Sequence, residues 1–214
     1  MKFPHAYKGV KLLFSAQMML LCTTIIMAIS AVVAALTANG SASETALAIA
    51  GLVALIAALL TFIAGIISLV GYGKAAKDDK HFGIALALIL FGVLASLVSG
   101  VLKFLAIKPE IIADILNAVY NLFSELAIIF AILGLCSLSE KVGDENNIRY
   151  GKSICGVIIA ILVIDIVVSV LPIFLNGITA TIAVILAVAD GVLSFAAYIM
   201  YLVYLKKVAN MLKK

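Results

Sequence analysis

The sequence predicts an all-α polytopic membrane protein with six transmembrane helices. Three observations lead there: a large excess of apolar over charged residues, six apolar stretches of spanning length, and a one-sided distribution of basic residues. Of the 214 residues, 65% are hydrophobic and 12% charged, where a water-soluble domain carries about half and roughly a quarter. Crossing a hydrocarbon core of about 30 Å at about 1.5 Å per residue takes about 20 apolar residues. Such stretches fall at residues 12–37, 45–73, 82–107, 111–138, 153–175 and 178–205. A backbone in oil must satisfy its own hydrogen bonds, so runs of this length are helices; barrel strands would be about half as long and would alternate in polarity.

The first span follows Lys2, Lys8 and Lys11. Its opening has the outline of a secretory signal, but the apolar run exceeds the 7–15 residues of a signal's apolar region, so it reads as a span. A connection from Ala38 to Glu44 leads into the second span, and its Asn39-Gly40-Ser41 matches a glycosylation sequon but reads as a turn. The second span carries small residues, Ala50, Ala54 and Ala57, that permit close helix approach, as do Gly92, Ser96 and Gly100 on the third. Lys74, Lys77 and Lys80 separate these two spans, and Lys141, Arg149 and Lys152 separate the fourth from the fifth. The sixth ends at Lys206 and Lys207, with Tyr198, Tyr201 and Tyr204 predicted to anchor it at the membrane interface in a chain without tryptophan. All of the fifteen basic residues except Lys103 and Lys108 thus fall on one side, and short lysine-rich loops stay in the cytoplasm. The expected location is the cell membrane, with both termini cytoplasmic. Pro4, Pro109 and Pro172 lie at or near span ends, so few kinks are built in. Cys22, Cys136 and Cys155, an odd number of thiols in apolar or reducing surroundings, read as packing residues.

The even spans share a frame: Leu60-Thr61-Phe62-Ile63-Ala64, Phe123-Ser124-Glu125-Leu126-Ala127 and Leu193-Ser194-Phe195-Ala196-Ala197. A hydroxyl followed three residues later by alanine recurs in each. The odd spans open alike, at Tyr7-Lys8-Gly9, His81-Phe82-Gly83 and Arg149-Tyr150-Gly151. The reading is three helical hairpins, about 1–80, 81–148 and 149–214, in one transmembrane domain. Repeats of equal orientation are related by an axis along the membrane normal, which predicts a pseudo-threefold bundle.

Three acidic residues are out of place. Glu125, Asp165 and Asp190 fall 12 to 14 residues into their spans, roughly 18–21 Å deep at 1.5 Å per residue. An aspartate at a helix centre costs about 2.5–3.5 kcal/mol to insert, and no Lys or Arg sits at that depth. These residues must face the bundle interior, where a carboxyl group is stable as the neutral acid or as a carboxylate with a cation or water beside it. On the fourth span Glu110, Asp114, Asn117, Asn121 and Glu125 recur at spacings of 4, 3, 4 and 4, a stripe about 80° wide. That is the pattern of a water-filled vestibule open to the outside and closing near Glu125. The sixth span repeats it more weakly with Thr179, Asp190, Ser194 and Tyr201, the fifth offers Asp165 with Ser169, and Gln17 and Thr24 share a face of the first. The candidate ion or proton ligands are therefore Glu125, Asp165, Asp190, Asp114, Asn117 and Asn121.

Enzymatic chemistry lacks its residues. His5 and His81 lie near the basic ends of their spans, no HExxH, Walker A or Rossmann glycine pattern occurs, and no cofactor or resident metal is expected. No basic, aromatic-laced domain is present to hold nucleic acid; the net charge of +4 suits anionic inner-leaflet headgroups. The expected partners are the lipid bilayer, a small cation or proton, and further copies of the chain in a homo-oligomer. The segment Gly73-Lys74-Ala75-Ala76-Lys77-Asp78-Asp79, followed by His81-Phe82-Gly83-Ile84-Ala85, resembles the repeated Lys-Ala-x-Lys-Asp-Asp loop of uncharacterised small multi-pass membrane proteins of Gram-positive bacteria. The resemblance covers one loop well and implies a bacterial inner membrane without assigning an activity. Two functions stand open on the sequence: a small cation- or proton-coupled transporter or channel using the midplane carboxylates, and a membrane scaffold or accessory subunit whose carboxylic acids hold helices together.

Overall fold

The computed structural model describes residues 3–38, 44–104, 110–174 and 180–213. They form six α-helices: α1 Pro4–Ala38, α2 Glu44–Ala75, α3 Lys80–Phe104, α4 Glu110–Val142, α5 Glu145–Phe174 and α6 Ala180–Lys213. Each is long and apolar enough to cross a membrane, so the all-α, multi-pass expectation holds. Successive helices run antiparallel and pack side by side, α6 returns to α1, and α4 also touches α6 across the ring.

The ring has two unlike halves. The basal half holds the first residues of α1, α3 and α5 and the last residues of α2, α4 and α6. The largest fully buried side chains among the described residues lie there: Val10 and Leu13, Tyr72, Phe82, Ile132, Leu135 and Leu138, Ile154, and Tyr201, Tyr204, Leu205 and Val208. In the distal half of the first three helices the outer faces stay open; Ile29, Val32, Leu52 and Leu97 are each at least 60% exposed. Apolar surface facing lipid tails carries no penalty, so the distal pattern needs no second layer of protein.

Close approach at the base depends on glycine. A Cβ on Gly9 would lie 2.6 Å from the Gly71 carbonyl oxygen and 2.7 Å from the Ala75 nitrogen, so α1 and α2 meet there backbone to backbone. On α4, Gly134 leaves the space that the Phe82 ring of α3 fills, and Gly151 of α5 sits against Tyr204 and Cys136. Farther out, Gly92 packs against Tyr120 and Phe123, as its small size predicts, whereas Gly100 faces open space and the buried small residue of that stretch is Ser99. Ala50 and Ala57 are buried on α2.

Aspartates cap the odd helices at the base. The Asp79 carboxylate accepts the His81 N–H at 3.1 Å and so caps α3, while Asp78 accepts the Ala6 N–H of α1 at 2.6 Å from 72 residues away. Asp144 accepts the Asn147 N–H at 3.0 Å and caps α5. An N-cap acceptor satisfies one of the amides that a helix start leaves unbonded. Between α4 and α5 the chain reverses at Gly143, whose φ of +82° is the left-handed conformation that glycine adopts without a Cβ clash. The Gly143 N–H bonds Glu140 O and the Asp144 N–H bonds Ser139 O, both at 3.0 Å, a Schellman closure of α4.

Two sequence expectations are corrected here. Tyr201 and Tyr204 are 1% and 0% exposed, so they are core residues and not interface anchors. The interior hydroxyl of the first span is Thr23, which receives a 3.3 Å bond from Thr61 of α2; Thr24 is exposed and bonds the Leu20 carbonyl of its own helix.

Candidate functional site

Glu125 lies at the middle of α4, fifteen residues after Glu110 and seventeen before Val142. The turn that carries it also carries Ser124 and Ala127, and the helix presents Glu125 half-buried at a cavity of about 150 Å³ between α4, α5 and α6. Ile128 of α4 with Ile158 and Ile161 of α5 form the aliphatic wall. From α6 come Ser194, Ala197, Tyr198 and Tyr201, whose spacing of 3, 1 and 3 puts them on adjacent turns of one face.

The two tyrosines differ in what their oxygens do. The Tyr198 hydroxyl donates to the Gln17 carbonyl of α1 at 2.6 Å, which ties α6 to α1 and closes the ring. The Tyr201 hydroxyl is buried and makes no hydrogen bond of good geometry; the Tyr72 phenol of α2 is its polar neighbour. One turn before Tyr72 on α2, the Ser68 hydroxyl is likewise buried without a hydrogen-bonding partner. Buried polar groups are nearly always bonded, and most exceptions mark water or function. Of the two, Tyr201 lines the cavity.

Of the residues singled out in the sequence, Glu125, Ser194 and Tyr201 meet at this cavity. Asn121, one turn outward from Glu125, is exposed. Asp114, Asn117, Asp165 and Asp190 lie on helices, but their side chains fall outside the described residues, as do Glu110, Ser169 and Thr179. Tyr198, expected from the sequence as an interface anchor, also lines the cavity, and the wall of Ile128, Ile158 and Ile161 carries no signal in the sequence that sets it apart from other apolar residues. Tyr198 shares one face of α6 with Ser194 and Tyr201, and that spacing is the sequence signal of its place at the cavity.

A second polar cluster lies at the base. Asp79 accepts bonds from the Ser137 hydroxyl at 2.5 Å, from Lys141 Nζ at 2.9 Å and, on its other oxygen, makes a 2.7 Å contact with His81 Nδ1. Burial pushes its carboxyl up, but the bonds from Ser137, Lys141 and His81 together outweigh that and hold it at about 2. Lys141 also bonds the Asp78 carbonyl at 3.2 Å. This cluster fastens the α2–α3 connection onto α4. Every oxygen of Asp79 is engaged, which marks the cluster as a structural clasp. Among the described residues no group of three or more His, Cys, Asp or Glu side chains stands together as a metal site would require.

No protein-family model matches the chain, and neither a curated protein nor a solved structure shows significant similarity to it.

Proposed function

We propose that the chain is a small proton- or cation-coupled transporter or channel of the cell membrane, with both termini in the cytoplasm and Glu125 as its ion-binding group. One observation carries this reading: a half-buried carboxylate at the centre of a membrane-length helix lines a half-open pocket between α4, α5 and α6. An acidic residue at that depth is tolerated where polar groups of the protein surround it, and intramembrane carboxylates of this kind mark ion and proton pathways. Asp165 and Asp190 are further candidate ligands on α5 and α6. The base, where the lysine clusters gather, is the cytoplasmic side by the charge rule.

The three hairpins are proposed as pseudo-threefold repeats. Supporting this, Ala64, Ala127 and Ala197, which the frame makes equivalent, are all buried. So are the equivalent Tyr72, Leu135 and Leu205. At the equivalent positions Gly71, Gly134 and Tyr204, each even helix meets the start of its own hairpin, at Gly9, Phe82 and Gly151. In the second hairpin the contact falls one residue before Gly83, the position the sequence frame indicates.

The test is flux. Reconstituted in tight vesicles with a pH dye inside, the wild-type chain is expected to dissipate an imposed proton or cation gradient, and E125Q to do so at no more than about a tenth of that rate. Wild-type vesicles as tight as empty ones would refute the transport reading. They would leave the second reading, a scaffold or accessory subunit.

A further inference from the structure

The first turns of α5 carry a basic patch on the side that faces away from the bundle. Asn147, Ile154, Ile158 and Ile161 mark the inward face of this helix, and all four are buried. The opposite face carries Glu145, Arg149, Lys152, Gly156, Ile159 and Val163, at spacings of 4, 3, 4, 3 and 4, a stripe about 80° wide. Every residue of the stripe is exposed. Its basal part is an open depression of about 460 Å³ lined by Glu145, Ile148, Arg149, Lys152 and Ser153.

Neither Arg149 nor Lys152 is held in an ion pair among the described residues. Two other basal cations are engaged: Lys141 bonds Asp79 at 2.9 Å, and Lys207 lies 4.2 Å from the centre of the Tyr150 ring. The Ser153 hydroxyl is spent on the Arg149 carbonyl at 3.1 Å. Glu145 stands in the first turn of α5, where a carboxylate suits the helix dipole, two turns from Lys152. Arg149 and Lys152 are thus the donors on offer, a planar fork and a point charge one turn apart, and both kinds of group bind phosphate.

The remainder of the stripe identifies the source of that phosphate. A Cβ on Gly156 would meet nothing within 4 Å, so a gap in the helix surface follows Lys152 directly. Beyond it Ile159 and Val163 are 46% and 52% exposed. From Arg149 to Val163 the stripe runs about 20 Å, basic at the end of the span and apolar toward its middle, which is the polarity of a phospholipid standing in the leaflet beside it. We infer that this face binds one anionic phospholipid of the leaflet at the base of the bundle, with the phosphate between Arg149 and Lys152 and an acyl chain over Gly156. Basic pockets at the ends of membrane helices hold anionic headgroups in this way. The site is separate from the Glu125 cavity and stands whether or not the chain moves ions.

The test titrates the full chain in mild detergent with dioleoylphosphatidylglycerol or dioleoylphosphatidylcholine and counts bound lipid by native mass spectrometry. Wild type is expected to bind its first phosphatidylglycerol at least about tenfold more tightly than its first phosphatidylcholine. R149Q/K152Q is expected to erase that preference, whereas K74Q/K77Q, which removes the same charge elsewhere on the base, keeps it within about twofold. G156L fills the gap without meeting protein, and is expected to weaken phosphatidylglycerol binding severalfold while the lipid-free melting temperature holds. Equal affinity of wild type for the two lipids overturns the inference. So does an equal loss in the two double variants, which would make the attraction a property of the whole base. Unchanged phosphatidylglycerol binding in G156L does the same, and G156L decides the matter if R149Q/K152Q fails to fold. Glycerol 3-phosphate, the headgroup without chains, is the last arm: if it displaces phosphatidylglycerol at equal concentration, the ligand is a soluble phosphate and the lipid assignment fails.

Discussion

The basal and distal halves of this bundle are built from equally apolar helices and are held together by different means. At the base, helices touch through glycine contacts, the buried side chains interlock, and aspartate caps join the starts of α1, α3 and α5 to neighbouring segments. Distally the same helices keep their hairpin partners and leave other faces open. In water this would be a defect, because exposed leucine and phenylalanine drive collapse. In a bilayer the lipid tail is as good a neighbour as leucine, and helices associate only where shape and hydrogen bonding favour it. Tight packing in such a protein is therefore local, and its location identifies what is meant to stay fixed. The Glu125 cavity lies between the two halves, with its floor on the fixed one.

The largest expected effect comes from placing a methyl group where two backbones meet. G9A puts a Cβ within 2.7 Å of backbone atoms of both Gly71 and Ala75, none of which can rotate away. The expected loss is at least about 3 kcal/mol, the upper end of overpacking penalties, or about 6–12 °C in melting temperature for a chain of this size. G51A, near the distal start of α2, meets nothing within 4 Å and is expected to lie within about 0.5 kcal/mol of wild type. Thermal melts in detergent compare the two, and equal losses would mean that the halves are not distinct.

That contrast also separates what could be read in the sequence from what could not. Helix number was legible because a 20-residue apolar run has one solution in oil, but the basal ends were not: α1 starts at Pro4 and α5 at Glu145, each eight residues before the apolar run, and α6 continues to Lys213, eight residues past it. Glu125 was legible because charge there is costly in any orientation but inward, and Tyr201 was legible as part of a polar face of α6. The partners of these residues were not. In water, polarity marks the inner and outer faces of a helix, but here both faces are apolar, so Tyr204 and Phe82 resemble lipid-facing residues until the structure places them against Gly151 and Gly134. The Asp78-Asp79 pair was seen only as part of a loop motif. Its capping role was available from the pattern of an acidic residue just ahead of an apolar run.

Asp79 allows the basal clasp to be tested by pH. Its carboxyl is held at about 2 in the folded protein, against about 4 in an unfolded chain. The unfolded state therefore binds the proton more readily, and the stabilisation is complete above about pH 4 and lost as pH falls from about 4 toward 2. D79N removes the charge and weakens the cap, with an expected loss of about 1–2 kcal/mol at neutral pH. Melting temperatures of wild type and D79N, followed downward in pH, should differ by a few degrees at pH 6 and converge near pH 2. A gap that stays constant through this range would show that the bonds to Lys141 and His81 contribute nothing through charge.

A smaller effect is expected from Y198F. The hydroxyl bonds the Gln17 carbonyl at 2.6 Å and links α6 to α1 where the ring closes. Hydrogen bonds between membrane helices contribute about 0.6 kcal/mol on average and up to about 1.7. A loss of about 1 kcal/mol is the expected result in the same detergent melts.

The smallest effect belongs to the distal side of the same α1. Thr23 and Thr61 meet at 3.3 Å, a long bond between hydroxyls. Each oxygen already has a shorter one, Thr23 to the Leu20 carbonyl and Thr61 to the Ala57 carbonyl, both at 2.9 Å. Thr61 has one proton to share between two acceptors, so the interhelical bond is the weaker branch. T23V keeps the shape of the side chain, removes one weak link and leaves Thr61 satisfied within its own helix. The expected change is below about 0.5 kcal/mol, measured in the same detergent melts as G9A. A loss above about 1 kcal/mol would mean that polar contacts hold the distal hairpins as firmly as glycine contacts hold the base, and the two-part description of the bundle would have to be given up.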